Sequence, residues 1–232
     1  PLRLLLVLLW MALCAPALPA QMGISWGWVR IAAPSWNAGF QTEVTGRRTP
    51  IFRNAAGFQL DHDLPFGKSW MSLRPALGFT RATQGDPVSD RFQLEWLAMS
   101  SRVALVVRLL DVPQACDCTP VVPDGHWLRE GFQAWLAPGI SATRLQFATT
   151  SELFPKGKKS AWATRPFVEA GAGLELTLSH ALTLMPFVRT RWYGTMHWPD
   201  LSALYTEDPV ADRYDRSTVL LSMFGLRAGL RW

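Results

Sequence analysis

Val168-Glu169-Ala170-Gly171-Ala172-Gly173-Leu174-Glu175-Leu176-Thr177-Leu178 is the stretch on which the fold turns. Val168, Ala170, Ala172, Leu174, Leu176 and Leu178 share one parity; Glu169, Gly171, Gly173, Glu175 and Thr177 share the other. A helix would scatter both sets around its circumference, whereas a strand sorts them onto opposite faces. The next run repeats the pattern, with Leu182, Leu184, Pro186, Val188 and Trp192 against Thr183, Arg189, Arg191 and Tyr193. The C-terminal run does so again, with Phe224, Leu226, Ala228, Leu230 and Trp232 against Gly225, Arg227, Gly229 and Arg231.

Two architectures use such strands. A soluble sandwich turns the apolar face to its core, and a transmembrane barrel turns it to lipid. Charged residues in mid-strand and glycines on the same face favour the barrel, because a small closed barrel crowds its interior. Composition agrees. The 232 residues are 49% hydrophobic and 18% charged, too apolar for disorder. Twelve Trp suit surfaces where an apolar body meets a polar edge. The net charge of +5 is spread along the chain rather than gathered in a basic tract, which argues against nucleic acid. Three Cys exclude a disulfide scaffold.

Arg3 precedes the apolar run Leu4 to Leu13, and Ala15-Pro16-Ala17-Leu18-Pro19-Ala20 follows. This is the pattern of a secretory signal peptide, 1–20, cleaved near Ala20, which leaves 21–232 as one barrel domain. No later stretch is apolar enough to cross a bilayer as a helix. The alternation predicts strands at 24–33, 55–65, 69–81, 92–108, 127–146, 163–178, 181–197 and 217–231. Eight is an even number, as an antiparallel barrel with both termini on one side requires. The connections 34–54, 82–91, 147–162 and 198–216 then share the far side, and only 109–126 is long on the near side.

The mature sequence resembles the eight-stranded outer-membrane β-barrel domain of the Bacteroidetes type, the group that includes PorT-like proteins. The resemblance rests on Trp28 to Trp36, Leu94-Glu95-Trp96-Leu97-Ala98, Ala137-Pro138-Gly139, Gly171-Ala172-Gly173-Leu174-Glu175-Leu176 and the closing Gly225 to Trp232. Leu97 stands where the family tends to have Pro, and Trp232 where Phe is commoner. It implies an all-β, up-and-down antiparallel transmembrane barrel integral to the outer membrane of a Gram-negative bacterium. It also implies a place beside a secretion or transport machine.

Turning the polar faces inward places Glu95, Glu169, Glu175, Arg74, Arg189, Arg191, Arg227 and Arg231 in the lumen. Charges in a space of low dielectric need partners, and Arg binds carboxylates bidentately. An electrostatic plug is the expectation, and a narrow ion path the sharper alternative. Trp192, Tyr193, Trp198 and Trp232 are expected in an interfacial aromatic belt. Cys116 and Cys118 fall in the near-side connection, where a disulfide across one residue is strained and zinc lacks a second pair. Gly67-Lys68-Ser69 lacks the first Gly of a phosphate loop, since His62 holds that position. Asp61, His62 and Asp63 alternate between faces and so do not converge on a metal. His197, Asp200 and Ser202 are the one local grouping of triad-forming types near a rim.

The function expected is therefore that of a non-enzymatic outer-membrane barrel with a structural or accessory role in the cell envelope. It needs neither cofactor nor metal. Its partners would be outer-membrane lipids, the insertion machinery for such barrels and envelope proteins met through the loops, with no nucleic acid. The alternatives are a narrow passive channel of the porin family and a lipid-modifying barrel enzyme.

Overall fold

The computed structural model describes residues 21–40, 50–52, 54–65, 70–85, 92–109, 131–149, 157–179, 181–198 and 215–231. The expected signal peptide, Cys116, Cys118, Asp200, Ser202 and Trp232 lie outside these residues. Eight strands follow one another: β1 (Gln21–Ala32), β2 (Asn54–Pro65), β3 (Met71–Gly85), β4 (Phe92–Arg108), β5 (Gly131–Thr149), β6 (Gly157–Thr177), β7 (Leu182–His197) and β8 (Arg216–Arg231). A short helix, α1 (Pro34–Phe40), follows β1. Each strand pairs antiparallel with the next, and β8 returns to β1 from Gln21↔Arg231 to Ala32↔Leu220. The chain is a closed eight-stranded antiparallel barrel.

The expected strands are all present, and several run further, β1 among them, which begins at Gln21. β3 reaches Gly85, β5 reaches Thr149 and β6 begins at Gly157. Lys158 and Lys159 therefore pair with Ala148 and Phe147 in the sheet instead of lying in a loop. The charge run had suggested solvent, but a barrel wall can project past its apolar girdle into water and keep its pairing there.

Closure gives every strand two neighbours and, below the rim, removes edges, so backbone polar groups there find partners without water. The side chains then sort by parity. Outward lie Trp28, Trp162 and Phe224 at 80%, 63% and 60% exposure, with Ile24, Leu136 and Val188 also open. Inward, and buried, lie Arg74, Arg102, Glu169, Glu175, Arg189 and Arg227. This inverts the soluble pattern, and hydrocarbon is the solvent that such an exterior fits. Among the described residues no helix is long and apolar enough to cross a membrane; strands are the elements built to do so.

Glycine sets the seam where the barrel closes. Gly27 of β1 faces Gly225 of β8, and a Cβ on either would meet the partner strand's backbone, at the Phe224 carbonyl or the Trp26 carbonyl. Gly27→Val should therefore lower the yield of closed barrel sharply, while Gly194→Ala should cost only about 1 kcal/mol. The heat-sensitive mobility of folded barrel on a cold gel measures both. Gly194 differs because its Cβ would meet nothing; its requirement is a φ of +69°. It sits in the register shift between Trp192 and Thr195, a bulge that bends the end of β7.

Candidate functional site: a charged lumen beneath an aromatic cap

The lumen is filled in layers. Nearest the termini, β2 carries Asp61 and Asp63 inward and leaves His62 on the other face, as strand alternation dictates. Arg227 reaches Asp61 Oδ1 through Nε at 2.8 Å and Nη2 at 2.7 Å. Arg74 Nη2 lies 2.7 Å from Asp63 Oδ2 and donates to Gln133 Oε1 at 2.8 Å. Arg108 approaches the same Asp63 oxygen at 3.3 Å. Gln133 and Gln21 both donate to Glu175, the latter at 3.0 Å. Three Arg thus bind two Asp, and Gln133 links Arg74 to Glu175, so the layer extends across most of the barrel's circumference.

The next layer is organised differently. Glu169, from β6, receives Arg191 at 2.8 Å and Arg102 at 3.2 Å, with Arg189 at 3.9 Å. Trp135 Nε1 donates at 3.2 Å to Oε1, the oxygen that Arg102 and Arg189 approach, while Arg191 takes Oε2. Arg191 also reaches Ser100 Oγ and Tyr193 Oη, and its guanidinium stands 4.2 Å over the Phe167 ring. Arg102 and Arg189 both donate to Gln59 Oε1. A single carboxylate here serves three guanidiniums.

Above this layer, toward α1, Trp198 and Asp215, the lumen turns apolar. Trp36 of α1 lies 6.2 Å from Trp96 and 5.6 Å from Trp198. Phe52 packs on both, stacked on Trp198 at an interplanar angle of 5°. Tyr193 joins the cluster to Phe167 below. The Trp36 indole donates to the Asp215 carbonyl, and the Asn37 side chain accepts from Ile51 N–H, so α1 is held as a lid from both sides. Ile51, Trp36, Trp96 and Trp198 are fully buried.

Of the residues assigned to the lumen from sequence, Glu169, Glu175, Arg74, Arg189, Arg191 and Arg227 are buried within it. Glu95 is not. It lies on the outer face, 2.9 Å from Arg81 and 3.1 Å from Arg144, while Leu94 and Trp96 point inward. At this height the aromatic cap occupies the interior, so the wall's usual polarity reverses and the charge goes outside. The Arg231 side chain lies outside the described residues. The belt assignment also changes. Trp192 is outward and half exposed, but Tyr193 and Trp198 are buried in the cap. Tyr193 shares the parity of Arg189 and Arg191, a local signal that outweighs its aromatic neighbour, whereas Trp198 has the opposite parity and is turned inward by the register shift between Trp192 and Thr195.

Sequence reasoning missed Arg102, Asp61, Asp63 and the lumen glutamines. Alternation marks Arg102, since Met99, Val103 and Leu105 frame it as a polar interruption on the inner parity. No local signal marks Trp36, which follows β1 and reaches the lumen only through α1.

At the outer rim β6 and β7 separate. Their pairing reaches Val168↔Trp192, beyond which β6 pairs with β5 and β7 with β8. A cleft of about 270 Å³ opens there, bordered by Trp162, Thr164, Arg165 and His197. His197 Nε2 lies 4.0 Å from Asp215 Oδ2.

No family model matches the chain, and no curated protein matches it. Among solved structures it is similar to Ail, the attachment invasion locus protein of Yersinia pestis, at 12% identity and a TM-score of 0.49, covering 93% of this chain and 99% of that one. A major outer membrane protein from Thermus thermophilus shares 9% identity at a TM-score of 0.48, over 92% and 99% of the two chains. Neisserial surface protein A shares 9% at 0.46, over 92% and 97%. The assignment of the fold rests on the eight strand pairings described above, and the chain is an eight-stranded antiparallel β-barrel.

Proposed function

We propose that this chain is an integral outer-membrane β-barrel of a Gram-negative cell envelope. It has no enzymatic activity, and it acts through its outer surface and loops while its lumen serves as a plug. The carrying observation is the filled interior: two layers of Arg–carboxylate pairs lie beneath an aromatic cap, around an internal void of only about 10 Å³. That volume is at the lower limit for a single water molecule, which supports reading the described interior as a plug. The inside-out surface supports the membrane assignment, and cleavage after 1–20 would deliver the chain to the envelope. A plugged barrel that still folds is a rigid anchor, suited to a structural or accessory role toward envelope proteins.

The deciding experiment is conductance of the folded protein in a planar bilayer. Steps no larger than those of protein-free membranes are expected. Well-defined openings whose ion selectivity changes in Glu169→Gln would establish a narrow passive channel instead. The resemblance to PorT-like barrels extends the accessory reading to a place beside a secretion or transport complex. Migration with a large assembly on a non-denaturing gel, after gentle extraction, is the expected result; migration as a lone barrel would remove that extension.

The rim cleft supports a second reading, a site acting on lipid. His197 and Asp215 stand together beside a cleft of about 270 Å³, at the place where the wall opens sideways. A nucleophile is absent from the described residues of that cleft beyond the Thr164 hydroxyl. Release of fatty acid from outer-membrane lipid, abolished by His197→Ala in a barrel of unchanged stability, would support this reading.

A further inference from the structure

The two charged layers do not balance. Among the described residues, Asp61, Asp63, Glu169 and Glu175 face Arg74, Arg102, Arg108, Arg189, Arg191 and Arg227, four carboxylates to six guanidiniums. The surplus is concentrated where the layers meet. The internal void of about 10 Å³ lies there, and its walls include Arg74, Arg102, Arg189 and Arg227 against the single carboxylate of Asp61. Asp61 is already engaged by Arg227 and by Ser25 Oγ. Gln59, also in the wall, presents a neutral oxygen to Arg102 and Arg189. Arg189 Nε and Arg227 Nη1 are buried donors without a hydrogen-bond partner. Clustered, desolvated cations of one sign are costly, and a counter-charge placed among them relieves both repulsion and unmet donors.

We infer that this void is a binding site for one monatomic anion of chloride size, held by Arg102, Arg189 and Arg227. The void is about the size of one water molecule; a halide is somewhat larger and needs the surrounding guanidinium ends to give slightly, whereas phosphate, sulfate and carboxylates are far too large. The ion is a structural component that completes the charge pairing of the plug. The inference is independent of whether the barrel conducts, because conductance reads the path and the tests below read occupancy.

Crystals of the full-length folded barrel grown in sodium bromide should give an anomalous peak between Arg102, Arg189 and Arg227. In solution, resistance to urea should rise with sodium chloride and saturate, beyond the effect of sodium gluconate at equal ionic strength, because gluconate is too large for the void. Gln59→Glu would install a resident carboxylate on the same two guanidiniums. That variant should fold, lose the bromide peak and lose the chloride-specific increment. Arg189→Met should lose both as well, and Gln59→Glu keeps the test decisive if Arg189→Met fails to fold. A void holding only water in bromide crystals, or equal stabilisation by chloride and gluconate, overturns the inference. So does a bromide peak that persists unchanged in Gln59→Glu.

Discussion

Glu169→Gln should destabilise the folded barrel by about 3–5 kcal/mol, read as the shift in urea unfolding of protein reconstituted into lipid vesicles. Glu169 is completely buried and is the one carboxylate within 4 Å of Arg102, Arg189 and Arg191 among the described residues. Removing its charge leaves three guanidiniums facing one another in a space that water cannot reach freely. The amide has the same shape but keeps only one acceptor oxygen, so either Trp135, which uses Oε1, or Arg191, which uses Oε2, also loses its acceptor, and the loss combines charge with that hydrogen bond. Arg102→Gln added to Glu169→Gln should recover part of that loss, because it removes one of the stranded cations. By contrast, Glu95→Gln should change stability by less than about 1 kcal/mol, since Glu95 and its partners Arg81 and Arg144 lie on the outer face and are partly exposed. Equal effects at the two positions would mean that the lumen is wet enough to screen its charges.

Trp96→Ala should cost a similar amount, about 3–5 kcal/mol, by a different route. Its indole is fully buried and packs against Trp36, Phe52 and Tyr193, so truncation leaves a cavity beneath α1. The lid is tied through Trp36 to Asp215 and through Asn37 to Ile51, and its release should make α1 itself, Pro34–Phe40, a preferred site of protease cleavage. Conductance should nevertheless stay at the background level, because the Glu169 layer lies below the cap and is untouched. Openings in Trp96→Ala would show that the cap is the barrier and the ion layers only its support. The two variants therefore separate what closes the lumen from what stabilises it.

The wall of this protein is written locally. Alternation at 168–178 and 217–230 identifies both strand and face, because a pleated chain sends neighbouring side chains to opposite sides whatever surrounds it. Arg189, Arg191 and Arg227 could thus be assigned inward before any partner was known. Glu95 escaped the same logic. Its stretch, Leu94-Glu95-Trp96-Leu97, is apolar on both parities but for Glu95 itself, and the natural guess sends a lone charge inward. The guess fails because interior polarity depends on height along the barrel, and height is a property of the assembled wall. Trp198 illustrates the converse, since an aromatic near a strand end suits either an interfacial belt or a cap.

The sequence by itself determined eight amphipathic strands and, for most of them, the inner and outer parities, because each follows from the two-residue period of a single chain segment. Only the tertiary structure decided which charges meet. Asp61 pairs with Arg227 across the closing seam, Arg102 with Glu169 across the lumen, and Trp36 reaches Trp96 through a helix outside the wall. Those neighbours are set by the stagger between strands and by barrel closure, which bring together side chains far apart in sequence, and no local period encodes them.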